Sequence, residues 1–116
     1  VPHEWLFPHM AAIVHHGGAG TTAEALRAGV PSVVTPVFAD QPFWGQRIAD
    51  LGVGPAPIPQ KQLTTQKLAE AIHIAVTDAS MRDRAAALGQ KIRAEDGVAR
   101  AVEAFHQHVR IREVMR

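Results

Sequence analysis

The stretch of sequence that decides the fold lies near the beginning of the chain. It reads Met10-Ala11-Ala12-Ile13-Val14-His15-His16-Gly17-Gly18-Ala19-Gly20-Thr21-Thr22. The apolar run at residues 10–16 is short and ends in glycine, as is typical of a buried parallel strand. Beyond it, Ala23 and Leu26 follow at helical spacing, and Gly29 stands where a C-cap glycine would end the helix. These residues predict a strand that passes through a glycine-rich turn into a helix.

This turn, residues 15–22, which we call the glycine turn, is suited to binding an anion. Glycine permits positive φ and lets a ligand approach the backbone. The free N–H groups of a helix's first turn, with about +0.5 charge from the macrodipole, attract negative groups. His16, Thr21 and Thr22 would add side-chain donors, so the turn predicts a diphosphate site. The alternative is a purely structural turn in which His15 or His16 is a core histidine. A His-His metal pair is disfavoured because neighbouring side chains on a strand point to opposite faces.

The rest of the chain reads as strands alternating with helices, and then as helices alone. The predicted elements are a second strand at residues 30–36, a helix at 41–51, a short third strand at 53–59, and helices that begin at Thr64, at Asp78 or Ser80, and at Val98. Asp96-Gly97 is expected to separate the last two helices. This order predicts an α/β fold, part of a doubly wound, Rossmann-like domain with a short parallel sheet and C-terminal helices.

The composition is that of one small globular domain. The chain has 116 residues, of which 47% are hydrophobic and 20% charged, a balance that argues against a disordered tail. It has no cysteine, which excludes a disulfide framework and a cysteine nucleophile. Lys and Arg total 12 against 11 Asp and Glu, which gives a net charge of +1. The chain therefore lacks the strongly basic charge that would indicate nucleic-acid binding. No apolar stretch reaches the roughly 20 residues that span a membrane.

The glycine turn can also be interpreted as a dinucleotide-binding site. Gly18-x-Gly20-x-x-Ala23 fits the fingerprint of dinucleotide-binding folds, and Asp40 follows at the distance of a ribose-binding acid. This interpretation does not explain the paired histidines or the pair of threonines. It also leaves Gln41, next to the acid, without a role.

Several motifs taken together resemble a known family of enzymes. They are Val1-Pro2-His3-Glu4-Trp5-Leu6-Phe7-Pro8, the glycine turn, Glu24, Gly29-Val30-Pro31 and Asp40-Gln41-Pro42. Their order and spacing resemble the donor-binding half of the inverting, two-domain (GT-B) UDP-glycosyltransferases. Within that family the chain is most similar to sterol 3-β-glucosyltransferases and related bacterial and antibiotic glucosyltransferases. The resemblance runs from Val1 to about Ala104.

The resemblance implies a role for each matching residue. By this likeness the donor diphosphate is bound by His16, Gly18, Gly20 and Thr21, the ribose by Glu24, and the sugar by Asp40 and Gln41; His3 falls where plant enzymes have a glutamine beside the uracil. Two alternatives come from the residues themselves. Thr21-x-x-Glu24 fits a capping box, and Asp40 fits the N-cap of a helix with Pro42 in its first turn.

The resemblance also implies an enzyme class and its partners. It implies that residues 1–116 form the donor-binding portion of a glycosyltransferase C-terminal domain, in a chain that begins with Val1 rather than Met and lacks the acceptor-binding N-terminal domain. The expected reaction is transfer of a hexose, with inversion, from UDP-glucose to a hydroxyl of a lipid, sterol or other small hydrophobic acceptor. The family keeps its general base in the N-terminal domain, so the isolated chain should be inactive. No cofactor and no metal are implied.

The setting expected for the chain follows from the same observations. We expect a cytoplasmic protein, with the whole enzyme able to lie at a membrane surface. Two or three strands leave a sheet edge open to self-association. The alternatives to a glycosyltransferase are the dinucleotide module and a non-catalytic fragment.

Overall fold

The computed structural model describes residues 6–115, with the side chains of residues 6–97 and 99–105. After a 3-10 turn at Phe7–His9, the elements are β1 at Ile13–His15, α1 at Ala19–Ala28, β2 at Ser32–Val34, α2 at Gln41–Asp50, a second 3-10 turn at Gln60–Gln62, α3 at Thr65–Thr77 and α4 at Ala79–Met115. The order confirms the predicted α/β class.

The two strands form a short parallel sheet that carries the core. Ile13 aligns with Ser32, and His15 aligns with Val34. β2 is buried on both faces because its neighbouring side chains point opposite ways. Val33 packs with Ala71 and Ala75 of α3, whereas Val34 packs with Ile48 of α2. On β1, by contrast, Val14 is 46% exposed, so β1 has one uncovered face.

The predicted third strand is present only as an extended segment beside β2. The Ser32 amide donates to the Val53 carbonyl at 3.1 Å, and the Ile58 amide donates to the Val34 carbonyl at 2.9 Å. Residue 32 pairs with residue 53 and residue 34 with residue 58, so the two segments run parallel. Prolines at positions 55, 57 and 59 remove every second donor, which explains why no regular strand forms there.

The helix ends follow the predicted capping residues. Gly29 ends α1 with a φ of 74°, a left-handed conformation that glycine adopts without strain. The Thr64 hydroxyl accepts from the Lys67 amide at the start of α3. Asp78 does the same for the Met81 amide at the start of α4.

The predicted break at Asp96-Gly97 is wrong, because α4 is continuous from Ala79 to Met115. Asp96 forms an ion pair with Arg27, and the Arg93 guanidinium donates to the Arg27 carbonyl. α4 is therefore attached to the C-terminal end of α1 just before the expected break and at the break itself. In the described part of the chain, none of the helices combines the length and hydropathy needed to cross a bilayer.

Candidate functional site

The glycine turn leaves the first turn of α1 open. Gly18 is the N-cap of α1, and no side chain caps the helix there. The first N–H groups of a helix have no partner within the helix. The glycine turn follows directly from β1, and β1 is paired in parallel with β2. The open helix end and the loop after β2 therefore lie at the same edge of the sheet.

Gly17 is required by the fold. Its φ is 96°, and a Cβ at this position would lie 2.9 Å from both the Gln41 carbonyl oxygen and Val34 Cγ1. Any larger residue would strain the backbone and collide with Val34 of β2 and Gln41 of α2. Gly17 thus has a structural explanation.

Gly18 and Gly20 are not required by the fold. Gly18 has a φ of −60°, which any residue adopts, and Gly20 is helical. A Cβ at either position would have nothing within 4 Å. Glycine within a helix is disfavoured relative to alanine by up to about 1 kcal/mol, so neither packing nor propensity accounts for Gly20. Gly18 is at the N-cap, where glycine is well tolerated, and it leaves that position without a side chain.

The two threonines separate into a surface residue and a core residue. Thr21 is partly exposed, whereas Thr22 is 1% exposed and its hydroxyl is buried. The prediction that Thr22 donates to the anion is therefore wrong. The capping-box alternative is also wrong, because α1 already begins at Ala19 and Thr21 is not its N-cap.

The two histidines of the turn hold their protons on different ring nitrogens. His15 Nδ1 lies 3.0 Å from the Gly17 amide, which is a donor, so Nδ1 accepts and the proton of the neutral ring is on Nε2. His16 Nδ1 lies 3.0 Å from the Thr35 carbonyl oxygen, which is an acceptor, so Nδ1 carries the proton. The sequence analysis assigned the ring N–H of His16 to the ligand. In the neutral ring that N–H is held by Thr35.

His15 is kept neutral by its surroundings. Burial, and secondarily the neighbouring His16 ring, lowers the pKa of His15 to about 4. Its Nε2 atom is buried and has no hydrogen-bond partner among the described residues. His15 therefore belongs to the interior of the turn, where its Nδ1 fixes the Gly17 amide.

The loop after β2, residues 35–40, places Asp40 and Gln41 at the same edge of the sheet. Gln41 Oε1 accepts from the Val37 amide at 2.8 Å and from the Phe38 amide at 3.1 Å. Two N–H donors on one atom identify that atom as the carboxamide oxygen, so the side chain's NH2 group is turned away from the loop. Ala39 has a φ of 56°, a conformation that costs a non-glycine residue about 1 kcal/mol or more.

Asp40 is the N-cap of α2 by position, as the helix-start alternative predicted, but its carboxylate does not cap the helix. Its Oδ2 instead accepts from the Trp44 indole at 2.9 Å. Trp44 was not predicted as part of the site, although a partner four residues ahead on a helix is within side-chain reach. Thr35 was not predicted either, because its contact with His16 leaves no sequence signal.

Glu24 lies one and a half turns beyond Gly18 and is partly exposed. It lines a cavity of about 340 Å³ between α1 and α4, together with Arg27, Arg93 and Arg100. The structure therefore does not bring Glu24 into the glycine turn itself. His3 lies outside the described residues. Among those that are described, no three His, Asp or Glu side chains gather as a metal site would require.

The comparison with protein families decides the class of the chain. The family model described as erythromycin biosynthesis protein CIII-like, C-terminal domain, matches residues 1–105. The chain belongs to this family. Because the match covers both the glycine turn and the Asp40-Gln41 pair, it favours the glycosyltransferase interpretation over the dinucleotide one.

Relatives of the CIII-like chain are named glycosyltransferases. A sterol 3-beta-glucosyltransferase of Arabidopsis thaliana is 50% identical over 109 residues, which cover 94% of this chain and 17% of the plant enzyme. An O-mycaminosyltylonolide 6-deoxyallosyltransferase of Streptomyces fradiae is 50% identical over 99 residues, which cover 85% of this chain and 24% of that enzyme. The chain thus spans a quarter or less of the length of these relatives.

Solved structures of GT-B glycosyltransferases share the fold of the CIII-like chain. The glycosyltransferase of kitacinnamycin superimposes with a TM-score of 0.78 at 30% identity, covering 92% of this chain and 28% of that one. The glycosyltransferase VinC in complex with dTDP gives a TM-score of 0.73 at 30% identity, covering 89% and 27%. The chain is therefore similar to the C-terminal domain of a GT-B glycosyltransferase.

Proposed function

We propose that the chain binds a nucleoside-diphosphate sugar as the donor for inverting transfer of the hexose, and that this donor is UDP-glucose. The proposed acceptor is a hydroxyl of a sterol, lipid or other small hydrophobic molecule bound by another part of the enzyme. Sterol glucosyltransferases among the relatives support the donor and the acceptor class. The VinC complex with dTDP supports a nucleoside diphosphate as the ligand class.

One observation carries this proposal: Gly20 stands at the open N-terminus of α1 without a reason in the fold, next to an N-cap, Gly18, that has no side chain. A glycine that neither backbone conformation nor packing requires is explained when a ligand must approach the backbone closely. The exposed N–H groups and the helix macrodipole favour an anion in that space. Thr21 adds a hydroxyl at the same end of the helix. The diphosphate is therefore assigned to His16, Gly18, Gly20 and Thr21.

The sugar and the ribose are assigned to the two sides of this site. Asp40 and Gln41 lie beyond the carboxyl end of β2, where open α/β sheets place their ligands. Asp40 offers a carboxylate acceptor and Gln41 an NH2 donor, so between them they can distinguish hydroxyl arrangements. Glu24 is assigned to the ribose, because one carboxylate can accept from two vicinal hydroxyls.

The part of the reaction that falls to this chain is stabilisation of the leaving group. The acceptor oxygen forms a bond to the anomeric carbon, and the bond from that carbon to the phosphate oxygen breaks. Negative charge then grows on the diphosphate, where fixed N–H donors stabilise it more in the transition state than in the ground state. We propose that the acceptor's proton goes to a base outside this chain, and that no metal takes part. The chain alone is expected to transfer no sugar.

The experiment that tests this function replaces Gly20 with alanine. The fold has room for the new methyl group, so Gly20→Ala should raise the free energy of unfolding by about 0.5–1 kcal/mol. The same methyl group should obstruct the diphosphate and weaken UDP binding at least tenfold in calorimetry. Gly97→Ala is the matched control, since Gly97 also has nothing within 4 Å of its Cβ position and lies on α4. Unchanged UDP affinity in Gly20→Ala would contradict the assignment.

A further inference from the structure

The hydrogen bond between His16 and Thr35 limits how His16 can meet a diphosphate. Nδ1 of His16 lies 3.0 Å from the Thr35 carbonyl oxygen, and a carbonyl only accepts. In the neutral ring the single proton is therefore on Nδ1, and Nε2 presents a lone pair. Phosphate oxygens are acceptors as well, so a neutral His16 has nothing to donate to them.

Thr35 is held firmly enough to fix this arrangement. Its side chain is buried, and its amide donates to the His15 carbonyl at 2.9 Å, which extends the pairing of the two strands. The carbonyl that accepts from His16 is thus part of the backbone of the sheet. His16 would lose this bond if its proton moved to Nε2. His15 holds the opposite form, since its Nδ1 accepts from the Gly17 amide.

We infer that His16 binds the donor diphosphate only as an imidazolium, so that donor binding takes up a proton. As an imidazolium, His16 keeps the bond from Nδ1 to Thr35 and gains a second N–H on Nε2, which carries positive charge toward the phosphates. Such charge-assisted bonds are stronger than neutral ones. This inference rests on the proposed function in one respect, namely that the diphosphate lies at the glycine turn.

The charges around His16 decide when the proton is taken up. The titratable or charged groups on the adjoining segments are His15 on β1, Glu24 and Arg27 on α1, and Asp40 at the start of α2. His15 is neutral because burial lowers its pKa to about 4. A bound diphosphate brings negative charge next to the ring, so proton and donor favour each other's binding.

Calorimetry with UDP-glucose tests the proton uptake. UDP-glucose is chosen because both of its phosphates are esterified, and neither titrates near neutral pH as a terminal phosphate does. Titrations at one pH, in buffers with different enthalpies of ionisation, give the number of protons taken up. We expect a net uptake of protons on binding and a Kd that rises as the pH is raised. Binding that is independent of pH, without proton uptake, would overturn the inference and leave the proposed function intact.

Two variants isolate His16 from the other histidines. His16→Asn keeps an N–H donor for the Thr35 carbonyl but lacks a second nitrogen, so it should bind UDP-glucose more weakly and without proton uptake. His15→Asn should take up protons as the unchanged chain does. Proton uptake that survives in His16→Asn would overturn the inference. Failure of UDP-glucose to bind at any pH would instead overturn the proposed function.

The ring nitrogens can also be observed directly by ¹⁵N NMR. In the free chain we expect the proton of neutral His16 on Nδ1 and that of His15 on Nε2. With UDP-glucose bound at pH 7.5 or above, both nitrogens of His16 should carry protons. A neutral His16 in the bound state would contradict the inference.

Discussion

At the scale of single residues, Gln41 supports the loop that carries the proposed sugar site. Its Oε1 accepts from Val37 and Phe38, beside the left-handed Ala39. Gln41→Ala should therefore free both amides and cost about 1 kcal/mol of stability, since solvent-exposed bonds contribute modestly. Hydrogen exchange measures this effect, and we expect it to be faster at these two amides in the variant.

Gln41→Glu separates the support of the loop from contact with the sugar. A carboxylate still accepts from both amides but has no NH2 group, so exchange at Val37 and Phe38 should stay slow. Affinity for UDP-glucose should fall toward that of UDP, whereas affinity for UDP itself should hardly change. Equal exchange rates in Gln41→Ala and Gln41→Glu would show that the oxygen does not hold the loop.

His15 should make the stability of the fold depend on pH. An unfolded chain protonates histidine below about pH 6.5, whereas burial lowers the pKa of His15 in the fold to about 4. Between these values the unfolded chain binds more protons, so the free energy of unfolding should fall as the pH falls from 6.5 to 4.

The variant His15→Asn provides the measurement for this pH dependence. Its side-chain oxygen can accept from the Gly17 amide, as in an Asx turn, but it does not titrate. Denaturant unfolding of both proteins at a series of pH values should show a shallower pH dependence in His15→Asn. Identical curves would mean that His15 is not the group responsible.

The sequence predicted that the glycine turn and the Asp40-Gln41 pair lie at one edge of the sheet, but not the directions of the hydrogen bonds there. The roles of His16, Asp40 and Gln41 came from the resemblance to glycosyltransferases and stay predictions. Which nitrogen of His16 carries the proton depends on Thr35, which is 19 residues away and lies on the other strand. The exposure of Thr21 and the burial of Thr22 depend on where α1 begins, and helix starts are uncertain by a residue or two.

At the scale of elements, a close contact of two glycines attaches α4 to α1. A Cβ on Gly89 would lie 2.5 Å from Gly29 Cα and 2.7 Å from Gly29 N. Overpacking of this kind costs about 1–3 kcal/mol, so Gly89→Ala should lower the thermal midpoint. Gly97→Ala on the same helix should raise it slightly, because Gly97 has free space and alanine favours the helix. A Gly89→Ala chain as stable as Gly97→Ala would contradict this contact.

The wrong prediction of a helix break at Asp96-Gly97 is also explained by contacts between α4 and α1. Asp and Gly are poor helix formers, and local propensity therefore predicts a break. The contacts of Arg93 and Asp96 with Arg27 hold the helix together through tertiary structure, which overrides weak propensity. The extended segment at residues 53–59 illustrates the opposite case, since its prolines prevented a regular strand as their chemistry implies.

At the scale of the whole molecule, apolar side chains stay exposed on β1, in the loop after β2 and on α2, as well as on α3 and α4. Val14 on β1 is 46% exposed, and Phe38 and Phe43 on either side of Asp40 are 68% and 62% exposed. The exposure of Val14 agrees with the expectation that the short sheet leaves apolar surface uncovered. Self-association through that surface stays a prediction. The relatives are several times longer than this chain.

A titration with UDP, followed through the backbone amide signals of the chain, tests whether the diphosphate binds at the glycine turn. Among the described residues, an anion could bind at the open start of α1 or in the cavity lined by Arg27, Arg93 and Arg100. If it binds at the glycine turn, the amides of residues 18–21 shift most, and those of Asp40 and Gln41 shift further only when UDP-glucose replaces UDP. Shifts confined to the arginine-lined cavity, or no shifts at millimolar UDP, would contradict this assignment.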